Sequence, residues 1–204
     1  MINLFEKYPE LKRIQANIES AIKRIKECFR SGGKLLLCGS GGSAADCEHI
    51  SGELLKGFLS KRNVDEKFKF KLKSNYVSDI ANKLQGGLPA ISLVSNAGVM
   101  TAITNDIGGE MIFAQQVFAL AKPKDVLIAI STSGNSLPVY NAAVVAKAMD
   151  CSVIGLTGEH GGKLKEISDI IINVPQTETY KVQELHLPVY HYICAEIERE
   201  FFGE

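Results

Sequence analysis

Five short apolar runs punctuate this chain, and they narrow its fold class more than any other feature. They are Lys34-Leu-Leu-Leu-Cys38, Ala90-Ile-Ser-Leu-Val94, Asp125-Val-Leu-Ile-Ala-Ile130, Ser152-Val-Ile-Gly-Leu156 and Asp169-Ile-Ile-Ile-Asn173. Each reads as a short buried strand, and helical patterns separate them, notably over 110–120 and 137–149. Apolar strands alternating with helices at this interval predict an α/β fold whose parallel sheet is covered on both faces.

Helices flank the series. Over 9–30, Leu11, Ile14, Ile18, Ile22, Ile25 and Phe29 recur at three- and four-residue steps, one face of an amphipathic helix ended by Ser31-Gly32-Gly33. Residues 179–202 read as a long final helix, apolar on several sides and so buried against the sheet or a neighbouring subunit. The segment 59–87 breaks the rhythm. Its Lys67-Phe-Lys-Phe-Lys-Leu-Lys73 alternates with period two, as an edge strand protected by lysines does, and 77–84 reads as a short helix. A structureless loop of that length is uncommon, so the segment is expected to be an inserted subelement or lid. The chain thus divides into an N-terminal helix over 1–33 and a domain over 34–204 that carries an insertion at about 59–87.

Composition excludes some classes. With 46% hydrophobic residues among 204, a full core is attainable. Lys plus Arg and Asp plus Glu number 23 each, so no charge excess points to nucleic acid or an anionic membrane. No apolar run approaches the roughly 18–20 residues that span a bilayer, and no signal-peptide core is visible. Cysteines at 28, 38, 47, 151 and 194 form no CxxC pair and read as reduced, packed thiols of a cytoplasmic protein.

Two loops are suited to a phosphate. Cys38-Gly-Ser-Gly-Gly-Ser-Ala44 joins a strand to a helix, where glycines admit a ligand to the backbone and free N–H groups attract an anion. The Ser43 hydroxyl adds a donor. Ser131-Thr-Ser-Gly-Asn-Ser136 has the same context, with four hydroxyls in six residues. These residue types also serve as plain turn and N-cap residues. Two such loops after strands of one parallel sheet favour the ligand reading, because both lie at the carboxyl edge. Neither carries a Walker lysine, and no carboxylate follows the second strand, which ends in Val94-Ser-Asn-Ala97; nucleotide hydrolysis and dinucleotide binding are both unsupported.

Groups able to move a proton lie on two helices. His49 and Glu53, four apart, share one face, as metal ligands, a proton-exchanging pair or an ordinary surface pair. The last helix holds Gln183, Glu184, His186 and His191. Spacing aligns Glu184 with His191 and turns Gln183 some ~80° away, although Pro188 makes a straight projection unreliable. His160 falls in Glu159-His-Gly-Gly162, a turn.

Together these pieces resemble the phosphoheptose isomerases of the sugar-isomerase (SIS) domain family. The match rests on Cys-Gly-Ser-Gly-Gly-Ser at 38–43, His49-Ile-Ser-Gly-Glu53, Asn105-Asp106-Ile-Gly108, Ile130-Ser-Thr-Ser-Gly-Asn-Ser136, Leu156-Thr-Gly158, and Gln183-Glu-Leu-His186 with His191. The resemblance implies an α/β three-layer sandwich around a five-stranded parallel sheet, flanked by N- and C-terminal helices. It also implies a homotetramer with active sites between subunits. The implied reaction is aldose–ketose isomerisation of sedoheptulose 7-phosphate to a heptose 7-phosphate. Ser43, Ser131, Thr132, Ser133 and Ser136 match phosphate-binding positions, and Asn105, Asp106 and Gln183 fall in matching substrate segments. Glu53 matches the general base and His191 the general acid; His49, Glu53, Gln183 and His191 match a zinc-binding set. The chain departs from the family at Ser40, at Lys56-Gly57, at Tyr180-Lys181 and in the longer segment 59–87. Other family readings are an isomerase of a different ketose phosphate, a non-catalytic SIS protein that binds a replication initiator or another protein, and a sugar-phosphate-sensing regulatory domain. The presence of both Glu53 and His191 favours the enzyme.

Overall fold

The computed structural model describes residues 2–75 and 79–203. Five strands, β1 (Leu35–Gly39), β2 (Ala90–Ser92), β3 (Val126–Ser131), β4 (Ser152–Thr157) and β5 (Ile170–Asn173), form one parallel sheet in the order β2-β1-β3-β4-β5. All five coincide with the apolar runs. The helices are α1 (Leu4–Lys7), α2 (Gln15–Arg30), α3 (Gly42–Leu55), α4 (Glu66–Asn75), α5 (Asp79–Lys83), α6 (Ala97–Asp106), α7 (Ala114–Leu120), α8 (Leu137–Ala148), α9 (Leu164–Ile167) and α10 (Thr179–Phe202).

Successive strand residues point to opposite faces, and the core divides accordingly. Leu35, Leu37, Val126, Ile128, Ile130, Ile154 and Ile172 pack with α2, α3 and α10. Leu36, Cys38, Leu127, Ala129 and Val153 pack with α7, α8 and α9. The result is the three-layer sandwich expected, and residues of α1 and α2 belong to the first of these cores.

One local expectation is corrected. Residues 67–73 are not an edge strand: they lie within α4. Asp65 Oδ1 accepts from Lys67 N at 2.9 Å and Phe68 N at 3.1 Å, and this helix cap outweighs a two-residue period that has no partner strand to pair with. The helix expected over 77–84 is seen as α5, while Val77 and Ser78 lie outside the described residues. Two boundaries also shift. The amphipathic segment 9–30 opens as a 3-10 helix (Pro9–Ile14) before α2, and the segment 110–120 becomes a 3-10 turn (Gly109–Met111) followed by α7.

Candidate active site

The chain leaves β1 toward β2 on one side and returns to β3 on the other, so β1 and β3 flank the switch point of the sheet. Ligand crevices open at the carboxyl edge there. Both glycine- and serine-rich loops sit at this place. They line a cleft of about 300 Å³ with Ser40, Gly41, Gly42, Ser43, Ser131, Thr132, Ser133 and Ser136, closed by Thr179 and Gln183 of α10. Ser43 and Ser131 are buried, Thr132 and Ser136 half-buried and Ser133 exposed. Helices α3 and α8 begin at these loops, so their free N–H groups favour an anion in the cleft. Among the described residues no lysine or arginine lines it, which leaves hydroxyls, backbone N–H groups and the Gln183 amide as the donors.

Backbone geometry explains the glycines. Gly41 has φ +61°, the left-handed region, as it turns the chain from β1 into α3. Gly134 has φ +69°, and a Cβ there would meet the Gly161 carbonyl, so the second loop lies against the 158–162 turn.

The acid–base candidates gather on the facing sides of α3 and α10. His49 Nε2 is 3.1 Å from Glu53 Oε1 and 3.3 Å from His191 Nε2. Glu53 Oε2 faces Lys56 Nζ at 3.5 Å. The Phe58 ring covers His191, with centroids 5.4 Å apart. Burial, and then the neighbouring His49, push the His191 imidazole below its ordinary value, while Glu53 opposes them. One ligand atom from each of His49, Glu53 and His191 lies within 4.8 Å of the others, and two imidazoles with a carboxylate are a donor set that suits zinc.

The other candidates stand apart from that cluster. Gln183 packs against Gly42 at the cleft lined by the two loops, eight residues before His191 on α10. Glu184, aligned with His191 by spacing, is exposed and does not join the group. Asn105 and Asp106 end α6, where Asn105 Nδ2 donates to Asp106 Oδ1 at 2.7 Å, and neither lines the cleft. His160 lies in a turn, as its sequence context suggests. His186 is fully buried, with the Thr157 backbone beside it.

Sequence reasoning missed four residues that shape the cluster. Tyr190 Oη is 3.0 Å from His49 Nδ1, and Asp46 lies beside the same tyrosine. Arg62 Nη2 donates to the Glu53 carbonyl at 2.7 Å and Nη1 to the Leu54 carbonyl at 2.6 Å, closing the end of α3, while its Nε pairs with Glu198. Only Asp46, three residues before His49 on the same helix face, carried a local signal.

A profile of the SIS domain matches residues 7–86 and 74–158. The phosphoheptose isomerase of Aliarcobacter butzleri is 40% identical over 190 residues, covering 93% of this chain and 88% of that protein. The chain belongs to the phosphoheptose isomerase family. Solved structures of phosphoheptose isomerases agree. The one from Francisella tularensis superposes with a TM-score of 0.79 at 31% identity, covering 95% of this chain and 91% of that one. The one from Neisseria gonorrhoeae gives 0.76 at 33%, covering 94% and 90%. Phosphoheptose isomerases are thus its relatives in both sequence and fold.

Proposed function

We propose that this protein isomerises sedoheptulose 7-phosphate to an aldoheptose 7-phosphate through an enediol. One observation carries the reading: the same two helices, α3 and α10, border a phosphate-suited cleft at one level and hold Glu53 and His191 together at another. Family membership supports the same substrate class.

The chemistry follows from the residue types. Glu53 takes the proton from C1 of the ketose while His191 gives a proton to the C2 oxygen, producing the enediol. The O1 proton then passes to His191 as Glu53 returns its proton to C2, which leaves an aldose and restores both side chains. Ser43, Ser131, Thr132, Ser133 and Ser136 hold the phosphate, and Asn105, Asp106 and Gln183 are assigned to the substrate as well. His49, Glu53 and His191, with Gln183 as a fourth group, would hold a zinc ion, which supplies Lewis-acid polarisation of the carbonyl when bound.

The same proposal includes a homotetramer, a cytoplasmic location and an N-terminal helix over 1–33 followed by a domain over 34–204. An open depression lined by Ile2, Leu4, Tyr8, Leu187 and Pro188 beside His191 supports a neighbouring subunit near the site. Five buried free cysteines support a reducing compartment. Among the described residues no helix is long and apolar enough to cross a membrane. The segment 59–87 is assigned to shaping the sugar end, because Arg62 ties it to the Glu53 backbone.

The test is turnover of sedoheptulose 7-phosphate by purified protein, after chelation and again with zinc restored. Zinc-stimulated formation of an aldoheptose 7-phosphate is expected. Absence of conversion under both conditions overturns the substrate assignment.

A further inference from the structure

A cleft that holds an anion without a cationic side chain depends on its walls presenting donors and keeping their carbonyl oxygens engaged elsewhere. The loop over 131–136 meets that condition with the help of a neighbour, the turn over 158–164 that runs from β4 into α9. Its carbonyls are taken up almost one after another. Ser131 O accepts from Gly134 N at 3.0 Å, and Ser136 O from Tyr140 N at 2.9 Å. Thr132 O accepts from Gly158 N at 2.9 Å and Gly134 O from Leu164 N at 3.0 Å, both donors belonging to the turn.

The Ser133 carbonyl is satisfied by a side chain instead. Asn135 Nδ2 donates to it at 3.1 Å, while Asn135 Oδ1 accepts from Lys163 N at 3.0 Å. One amide therefore spans loop and turn, its donor end on the first and its acceptor end on the second. Glycines make the approach close enough. A Cβ at Gly162 would press on the Ser133 carbonyl and on Asn135 Oδ1, and Gly161 and Gly162 both take left-handed φ, +75° and +51°. The Asn135 N–H also donates to Ser133 Oγ at 3.1 Å. A hydroxyl oxygen that accepts in this way keeps its own proton to give. Ser133 lines the cleft, whereas Asn135 is not among the lining residues. Without the amide, the Ser133 carbonyl loses its donor and can swing toward an anion, which it repels.

We infer that Asn135 is a positioning residue for the cleft: braced on the 158–164 turn, its amide holds the Ser133 carbonyl back and leaves the donors of the loop to the anion. The inference rests on the phosphate reading of the cleft given above. It also gives a role to the Glu159-His-Gly-Gly162 turn, which the proton transfers do not use.

The test is binding of inorganic phosphate, by titration calorimetry, to wild type, Asn135→Ala and Asn135→Asp, with steady-state kinetics on the sugar phosphate alongside. Asn135→Ala removes both side-chain bonds. Asn135→Asp keeps the acceptor for the Lys163 N–H, but it has no donor for the Ser133 carbonyl and adds a negative charge near the anion. Phosphate is expected to bind about five-fold more weakly to Asn135→Ala, and more weakly still to Asn135→Asp. KM is expected to rise in parallel while kcat stays within about two-fold of wild type, because Glu53 and His191 are untouched. Melting temperatures check the fold, and Asn135→Asp carries the comparison if Asn135→Ala does not fold. Wild-type phosphate affinity in the folded variants overturns the inference and leaves the phosphate reading intact. A fall in kcat with KM unchanged overturns it too, since that marks a general disturbance of the structure. A wild-type protein that does not bind phosphate overturns the phosphate reading and the inference with it.

Discussion

Arg62 and Glu198, 136 residues apart in sequence, form an ion pair at 2.8 Å in which neither side chain is more than 4% exposed. The Glu198 carboxylate also accepts from the N–H groups of Phe58, Leu59 and Ser60. Burial acts to raise its pKa, but the N–H groups of Phe58 and Leu59 and the Arg62 guanidinium prevail and hold it below the ordinary value. The pair clamps the end of α3 to α10, and hence Glu53 to His191.

Breaking this clamp from one side leaves a buried charge alone. Arg62→Met and Glu198→Gln are each expected to lower unfolding free energy by about 3–5 kcal/mol. The double variant should lose less than the two together, since it strands no charge. Urea denaturation of all four proteins measures this. Additive losses would show that the two residues act separately.

Glu53→Gln and His191→Ala are expected to reduce kcat by at least about 100-fold, the usual scale for losing a general base or acid, while the melting temperature stays near that of wild type. Near-normal turnover in either variant removes that residue from its proposed role.

Ser131→Ala and Thr132→Val remove hydroxyls from a cleft that has no cationic side chain among its lining residues. Each is expected to weaken phosphate contact by about 1–2 kcal/mol, roughly five- to thirty-fold in KM. Inhibition by inorganic phosphate should weaken in parallel, whereas a KM rise without that change would place the hydroxyls on the sugar instead.

His186 makes stability depend on pH. Burial pushes its pKa down to about 4, against 6.5 for the ordinary side chain. Between those values the unfolded chain binds the extra proton, so stability is complete above about pH 6.5 and declines as the pH falls toward 4, by about 3 kcal/mol at most. Unfolding measured across pH 4–7 should show this slope, and it should flatten in His186→Phe.

Much of the fold was legible because a buried parallel strand leaves a local mark: Leu35 to Cys38 and Val126 to Ile130 are continuous apolar runs. Both loops at the cleft were legible for a similar reason, since glycine and hydroxyl residues cluster within six positions. The 67–73 segment misled because its alternation satisfies a strand period, while the deciding contact is a cap from Asp65, just outside it. Partnerships across the chain left no trace. Nothing near Tyr190 announces that its hydroxyl meets His49, and nothing near Arg62 announces Glu198, because these contacts exist only once α3 and α10 pack on the same sheet face.

Helix α10 follows every strand in chain order, yet Val182, Leu185, Val189, Ile193 and Ile197 belong to the core over the sheet. On a ribosome, therefore, the two loops proposed to hold phosphate emerge well before His191, the proposed general acid. A nascent chain paused ahead of α10 would present a half-built cleft and a bare greasy sheet face, inert toward sugars and attractive to chaperones. Activity and solubility thus arrive together, in one late docking event.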